Sequence, residues 1–288
     1  MSIKQYLPWQ VKIAAKIILS RIPSGYHFWQ RLNLFKHGGM EQPEYALSVF
    51  LTHFNRVDFA NKSSGFTALE IGPGDTLFSA MIARAYGARQ CYLIDVGRFA
   101  RDDIEPYRKM ASELKRRGLD IPGIEESASL DALLSVCRSR YLTEGLRSFG
   151  AIPDGSIDFI WSQAVLEHIR VSDFPEIVKE IRRVLRPGGI CSHRVDLKDH
   201  LGGALNNLRF PTRIWESNFM ARSGFYTNRI RYSEIIQYFE NAGFSVEVNN
   251  LEYFASLPTM RKHLAPEFCK FSDNELLISG FDVVLRPL

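Results

Sequence analysis

Cysteine is scarce in this chain and follows no pattern. Its 288 residues hold four cysteines, Cys91, Cys137, Cys191 and Cys269, and none belongs to a Cys-x-x-Cys pair. That excludes a thiolate zinc site of the usual spacing and argues against a disulfide framework, which small secreted domains need and long chains do not. A reducing, cytoplasmic setting is the expectation. No apolar run reaches the ~18–20 uncharged residues of a membrane span. The opening 25 residues look superficially like a signal peptide, but Lys12 and Lys16 interrupt the apolar stretch and no small-residue cleavage site follows. Charge of one sign is also missing: 36 Lys+Arg against 32 Asp+Glu leaves +4, too weak over such a chain to indicate a nucleic-acid partner. There is no internal repeat and no low-complexity tract. Apolar residues, at 45% with 20 Phe, 11 Tyr and 4 Trp, are ample for a sizeable core and exclude disorder.

Three zones follow from the patterning. Residues 1–60 read as a helical, aromatic-rich N-terminal cap. Residues 61–197 alternate short apolar runs with amphipathic ones: strands at 67–71, 91–95, 157–162 and 190–195, helices at 76–86, 101–117, 129–139 and 174–185, and a further strand near 140–143. Arg186-Pro187-Gly188-Gly189 is expected to stop the last of those helices. Residues 198–231 form a polar-aromatic insertion before a helix at 233–242 and strands at 244–254 and 280–286. Strand–helix alternation means a mostly parallel, doubly wound α/β sheet of Rossmann-like design, closed here by an antiparallel C-terminal hairpin.

Between the first strand and helix lies Leu69-Glu70-Ile71-Gly72-Pro73-Gly74-Asp75. Glycines there allow a sharp turn and a close approach of ligand to main chain. The dinucleotide fingerprint wants a third glycine where this chain has Leu77, which weakens a pyrophosphate reading. Glu70 would repel a pyrophosphate but suits an ammonium group. Asp95, 25 residues later at the end of the next strand, can accept both hydroxyls of a ribose. An adenosine that carries a ribose and an amino group but no phosphate is S-adenosylmethionine.

These residues resemble the first two motifs of class I S-adenosylmethionine-dependent methyltransferases. Pro153 through Ile160 with Ser162 through Ile169, and Ile177 through Gly189, are similar to later motifs of the type-11-like branch. The resemblance covers about 65–200 and implies a methyltransferase domain over 61–288, with 198–231 as a substrate insertion. It further implies that Glu70, Gly72 and Gly74 cradle the methionine and ribose part and that Asp95 binds the ribose. Val96 would lie beside the adenine, and Ser162 and Gln163 would approach the methionine carboxylate and the methyl. Glu144, with the Leu146 backbone as the alternative, stands where the family has its adenine-side acidic residue.

A hydroxyl acceptor needs a base or a metal, whereas nitrogen or thiolate acceptors need little beyond alignment. His168, just past the fourth strand, is one candidate base. Asp196 and His200, within the run Ser192 to His200, are others, acting as base or substrate anchor. A divalent metal held by Asp196, Asp199 and His200 is the minor alternative. The insertion carries Arg209, Arg213, Arg222, Arg229 and Arg231 among Phe210, Trp215, Phe219, Phe225 and Tyr226, a mixture that suits polyhydroxylated rings beside a phosphate, and also stacked RNA. The chain is similar in this respect to bacterial surface-polysaccharide and glycan-modifying methyltransferases. A sugar, glycan or related small molecule is therefore the expected acceptor. RNA methylation and non-catalytic S-adenosylmethionine binding are the competing readings. Residues 9–21 read as a basic amphipathic helix with Lys12 and Lys16 opposite Ile13 and Ile17, expected to pack over the core, with peripheral membrane contact as the alternative.

Overall fold

A computed structural model of the protein describes residues 8–19, 39–59 and 62–288. In chain order the strands are β1 (Phe66–Ile71), β2 (Ala88–Ile94), β3 (Ser139–Leu142), β4 (Ile157–Gln163), β5 (Leu185–Asp196), β6 (Phe244–Tyr253) and β7 (Ile278–Pro287). They form one sheet in the order β3-β2-β1-β4-β5-β7-β6. The first five run parallel, and β7 pairs antiparallel with both β5 and β6. The doubly wound α/β expectation and its antiparallel close are therefore what the chain adopts.

Alternation along the strands sorts side chains to two faces. Ala68, Leu93, Phe159 and Trp161 face a layer built by α2 (Pro43–Asn55), α3 (Phe78–Ala85), α4 (Glu105–Arg116) and α5 (Leu130–Val136). Leu69, Ile94, Ile160, Cys191 and Val283 face α6 (Phe174–Val184) and α9 (Tyr232–Asn241). Helix α2 contributes Ala46, Leu47, Phe50 and Phe54 to the first core, with the Phe50 ring edge-on to Trp161 at 5.3 Å. Truncating such a buried ring costs about 3–5 kcal/mol. Strand order reverses between β1 and β4, so a crevice opens at their carboxyl ends, where open α/β sheets take their ligands.

Two segments differ from the sequence expectation. Arg186-Pro187-Gly188-Gly189 does not merely end α6: β5 already begins at Leu185, which pairs with Ile157, and the next pairing is Phe159 with Ile190. The four residues form a bulge inside the strand entry, and a Cβ at Gly189 would sit 2.9 Å from the Ile157 carbonyl. The N-terminal helix α1 (Trp9–Leu19) packs Trp9, Ile13 and Ile17 against Leu201, Trp215, Met220, Phe225 and Tyr226 of the insertion. Its lysines lie along that packed side rather than opposite to it: Lys16 Nζ donates to the His200 carbonyl at 2.9 Å. The exposed positions of α1 include Val11 and Ile18. The remainder of the N-terminal zone read from sequence, 1–7 and 20–38, lies outside the described residues.

The insertion packs on itself. Short helices α7 (Thr212–Trp215) and α8 (Asn218–Ala221) surround the fully buried Trp215, whose indole N–H donates to the Thr227 carbonyl at 2.7 Å. The remaining helix, α10 (Asp273–Leu277), leads into β7.

Candidate active site

The β1–α3 loop turns at Gly72 and Gly74, with φ of +73° and +70°. A Cβ on Gly72 would lie 2.5 Å from a Val165 methyl, so the loop closes directly on the segment after β4 and only glycine fits. The Gly72 amide also donates to the Ile94 carbonyl at 2.8 Å, which ties the loop to the end of β2. Asp95 follows that strand end. Its two carboxylate oxygens accept from the amides of Gly74 at 3.1 Å and Val96 at 2.8 Å. A carboxylate at a strand end is the acceptor that a vicinal diol requires. Val96 is 77% exposed and flanks Gly145, whose amide donates to the Asp95 carbonyl at 2.8 Å. Glu144 is exposed beside them, with its amide on Ser148 Oγ. The structure thus brings Gly72, Gly74, Asp95, Val96 and Glu144 into one row along the carboxyl ends of β1, β2 and β3.

Glu70 lies under this row, 2% exposed, and one of its oxygens, Oε2, has no hydrogen-bond partner. Burial pushes its carboxyl up to about 8, and the Asp95 charge adds to that; hydrogen bonds from Ser79 and Trp161 pull the other way. A buried carboxyl with an unsatisfied oxygen, beside a second carboxylate, is a place for a cation. The donor set and the glycine cradle therefore fit a ligand with an ammonium group and a ribose.

Ser162 and Gln163 at the end of β4 point to opposite faces of the sheet. Ser162 Oγ is fully buried and bonded to His193 Nδ1 at 2.8 Å, and that imidazole stacks on Phe239. Gln163 stays half-buried, its Oε1 accepting from His53 Nε2 at 2.9 Å, while His53 Nδ1 accepts from Ser192 Oγ at 2.8 Å. Burial lowers His53 to about 4 and His193 to about 3, so both rings are neutral. Of the pair, only Gln163 presents a side chain near the edge. His53 comes from α2 in the N-terminal zone, and no spacing signal linked it to Gln163.

The turn after β4 re-aims the chain at Ala164, with φ +54°, into a single helical turn, Leu166–His168. Glu167 is 2% exposed, and neither of its carboxylate oxygens makes a hydrogen bond of normal geometry. Burial pushes it up to about 8; its own amide and that of Asp196 oppose the shift, while the Asp196 charge adds to it. His168 Nδ1 lies 3.0 Å from the Tyr226 carbonyl, so that nitrogen carries the proton and the lone pair is on Nε2. The His168 and His200 rings meet edge-on, 4.7 Å between centroids. One ligand atom from each of Glu167, His168 and His200 lies within 4.8 Å of the others.

That group differs from the minor alternative read from sequence, a metal held by Asp196, Asp199 and His200. Asp199 is 3% exposed, and its carboxylate accepts from the amides of Leu201, Gly203, Ala204 and Asn206 and from Asn206 Nδ2. It is consumed in shaping the 199–206 turn and is no ligand. Asp196 accepts from the Lys198 amide at 3.0 Å and pairs with Lys198 Nζ at 3.5 Å. Glu167 was visible beside His168, yet only the fold shows that its carboxylate turns towards a histidine 33 residues further on.

The arginines of the insertion divide. Arg229, held at φ +64°, lies between Trp215 and Phe268 and donates to the Phe210 carbonyl at 2.6 Å. Arg231 is 1% exposed and caps the carbonyls of Leu197 and Ile278. These two are scaffold rather than part of the guanidinium set that the composition of the insertion offered to a substrate. Arg213 and Arg222 are exposed, as is Phe219.

Residues 69–192 match the family model described as a methyltransferase domain. No curated protein matches the sequence. Among solved structures, the YcgJ protein of Bacillus subtilis aligns at 14% identity and TM-score 0.45 over 85% of this chain and 99% of that chain. An S-adenosylmethionine-dependent methyltransferase from Mesorhizobium loti aligns at 15% identity and TM-score 0.43 over 85% and 98%. A Haemonchus contortus phosphoethanolamine N-methyltransferase aligns at 16% and 0.43 over 87% of this chain and 54% of that chain. The family match spans the glycine loop, Asp95 and the Glu167–His168 turn.

Proposed function

We propose that the protein methylates a hydroxyl group of a sugar, glycan or related small polyhydroxylated molecule. The observation that carries this reading is the convergence of Glu167, His168 and His200 at the carboxyl edge of β4 and β5. Val165, which touches the Gly72 position, places that cluster two residues from the cofactor loop. S-adenosylmethionine, when bound, supplies a methyl on a sulfonium that is displaced in line. Glu70 would receive the ammonium, Asp95 the ribose hydroxyls, and Val96 and Glu144 the adenine side. A sugar hydroxyl is a poor nucleophile until its proton is taken or polarised, which an amine acceptor does not require. His168 offers an imidazole lone pair on Nε2, and Glu167 and His200 stand against it. The exposed Arg213, Arg222 and Phe219 of the insertion supply guanidiniums and a ring for an acidic or phosphorylated acceptor.

The experiment is transfer of labelled methyl from S-adenosylmethionine to a panel of monosaccharides, nucleotide sugars and oligosaccharides, with product assignment by NMR. An O-methyl sugar is expected. Transfer only to amines, thiols or RNA would overturn the reading.

A further inference from the structure

We infer that Glu167, His168 and His200 form a binding site for one divalent first-row transition ion, of the Mn²⁺, Co²⁺ or Zn²⁺ kind. Its catalytic use rests on the hydroxyl reading above; the binding itself does not.

One carboxylate and two imidazoles suit ions of this class better than Mg²⁺ or Ca²⁺, which prefer oxygen donors throughout. Three protein ligands leave coordination positions open, the pattern of catalytic rather than structural sites. Their donor atoms lie within 4.8 Å of one another, and a tetrahedral ion at ~2.1 Å asks for separations of roughly 3.4 Å. Small rotations of the side chains would close that difference.

Each ligand is prepared by its surroundings. Glu167 is buried and neither of its oxygens makes a hydrogen bond of normal geometry, which leaves both available to a cation. His168 has its Nδ1 fixed on the Tyr226 carbonyl, the outer contact that sets the tautomer and aims Nε2 in metal-binding imidazoles. His200 sits on the turn that Asp199 organises through five accepted hydrogen bonds, and Lys16 of α1 clamps its carbonyl from the other side. An ion with open positions is a Lewis acid that can bind and polarise an acceptor hydroxyl.

The test uses the full chain, free of any histidine tag and stripped with chelator. Mn²⁺ is titrated in and the free ion is followed by electron paramagnetic resonance; Co²⁺ is followed by its visible absorption. One ion per chain is expected. Glu167→Gln and His200→Ala should each weaken binding about tenfold or more, with S-adenosylmethionine affinity and thermal melting retained. His200 is only half-buried, so its variant keeps the test open if the buried Glu167 does not tolerate change. No bound Mn²⁺, Co²⁺ or Zn²⁺ in the wild type, or equal binding in both variants, overturns the site. Ion binding without any methylated hydroxyl product overturns the functional reading alone. Hydroxyl methylation that persists undiminished in chelator overturns the ion's catalytic use and leaves both the site and the hydroxyl reading standing.

Discussion

Glu70 gives the sharpest handle on cofactor recognition, because its carboxyl is held near 8 by burial and by Asp95. At pH 7 such a group is about nine-tenths protonated. An ammonium placed beside it returns it to the ordinary carboxylate range, near 4.5. Binding of S-adenosylmethionine should therefore expel close to one proton at pH 7. By linkage, affinity should rise about tenfold per pH unit below ~8 and level off above it. Without ligand the sign for stability is the reverse. The contribution of neutral Glu70 is fully present below its ordinary value of 4.5 and is lost as pH rises through about 8. The assay is titration calorimetry in buffers of different ionisation heat, with Glu70→Gln as the reference that removes the cofactor's own titration. The variant should bind more weakly, and the extra proton should vanish. Equal proton release by wild type and Glu70→Gln would refute the reasoning.

Other consequences can be checked in the same protein. His53 and His193 are lowered to about 4 and about 3, so their stabilising contribution is present above the unfolded value of 6.5 and is lost as pH falls from there. Each should cost about 2 kcal/mol by pH 5, seen as a lower melting temperature than at pH 7, and His53→Gln should flatten that dependence. Gly72→Ala meets Val165 at 2.5 Å and a positive φ, so it should abolish measurable cofactor binding and cost at least ~1 kcal/mol in stability; adding Val165→Ala should restore part of both. Asp199→Ala strands five donors of the 199–206 turn and should cost about 1–3 kcal/mol in a denaturant melt, while weakening ion binding through His200.

Much of this was legible from sequence where the signal is local. Strand periodicity and glycine stops located β1, β2 and β4, and the LEIGPGD and LIDV motifs put Glu70, Gly72, Gly74 and Asp95 on neighbouring strand ends, where the structure has them. The losses come from tertiary contacts. His53 reaches Gln163 from 110 residues away, and His168 meets His200 only because β4 and β5 run side by side. Composition also misjudged the insertion, since Arg229, Arg231 and Trp215 are buried to hold it together rather than offered to a ligand. Asp199 misled for a related reason: an aspartate in a polar run serves equally as a metal ligand or a turn organiser, and only the surrounding amides decide.

The central claim is that S-adenosylmethionine is held across the ends of β1 and β2 by Glu70 and Asp95. Calorimetry with Asp95→Ala tests it most directly. Wild type should bind one S-adenosylmethionine per chain, and the variant should lose about tenfold or more in affinity while keeping its melting temperature. Absence of binding by the wild type, or an unchanged affinity in Asp95→Ala, would contradict the account.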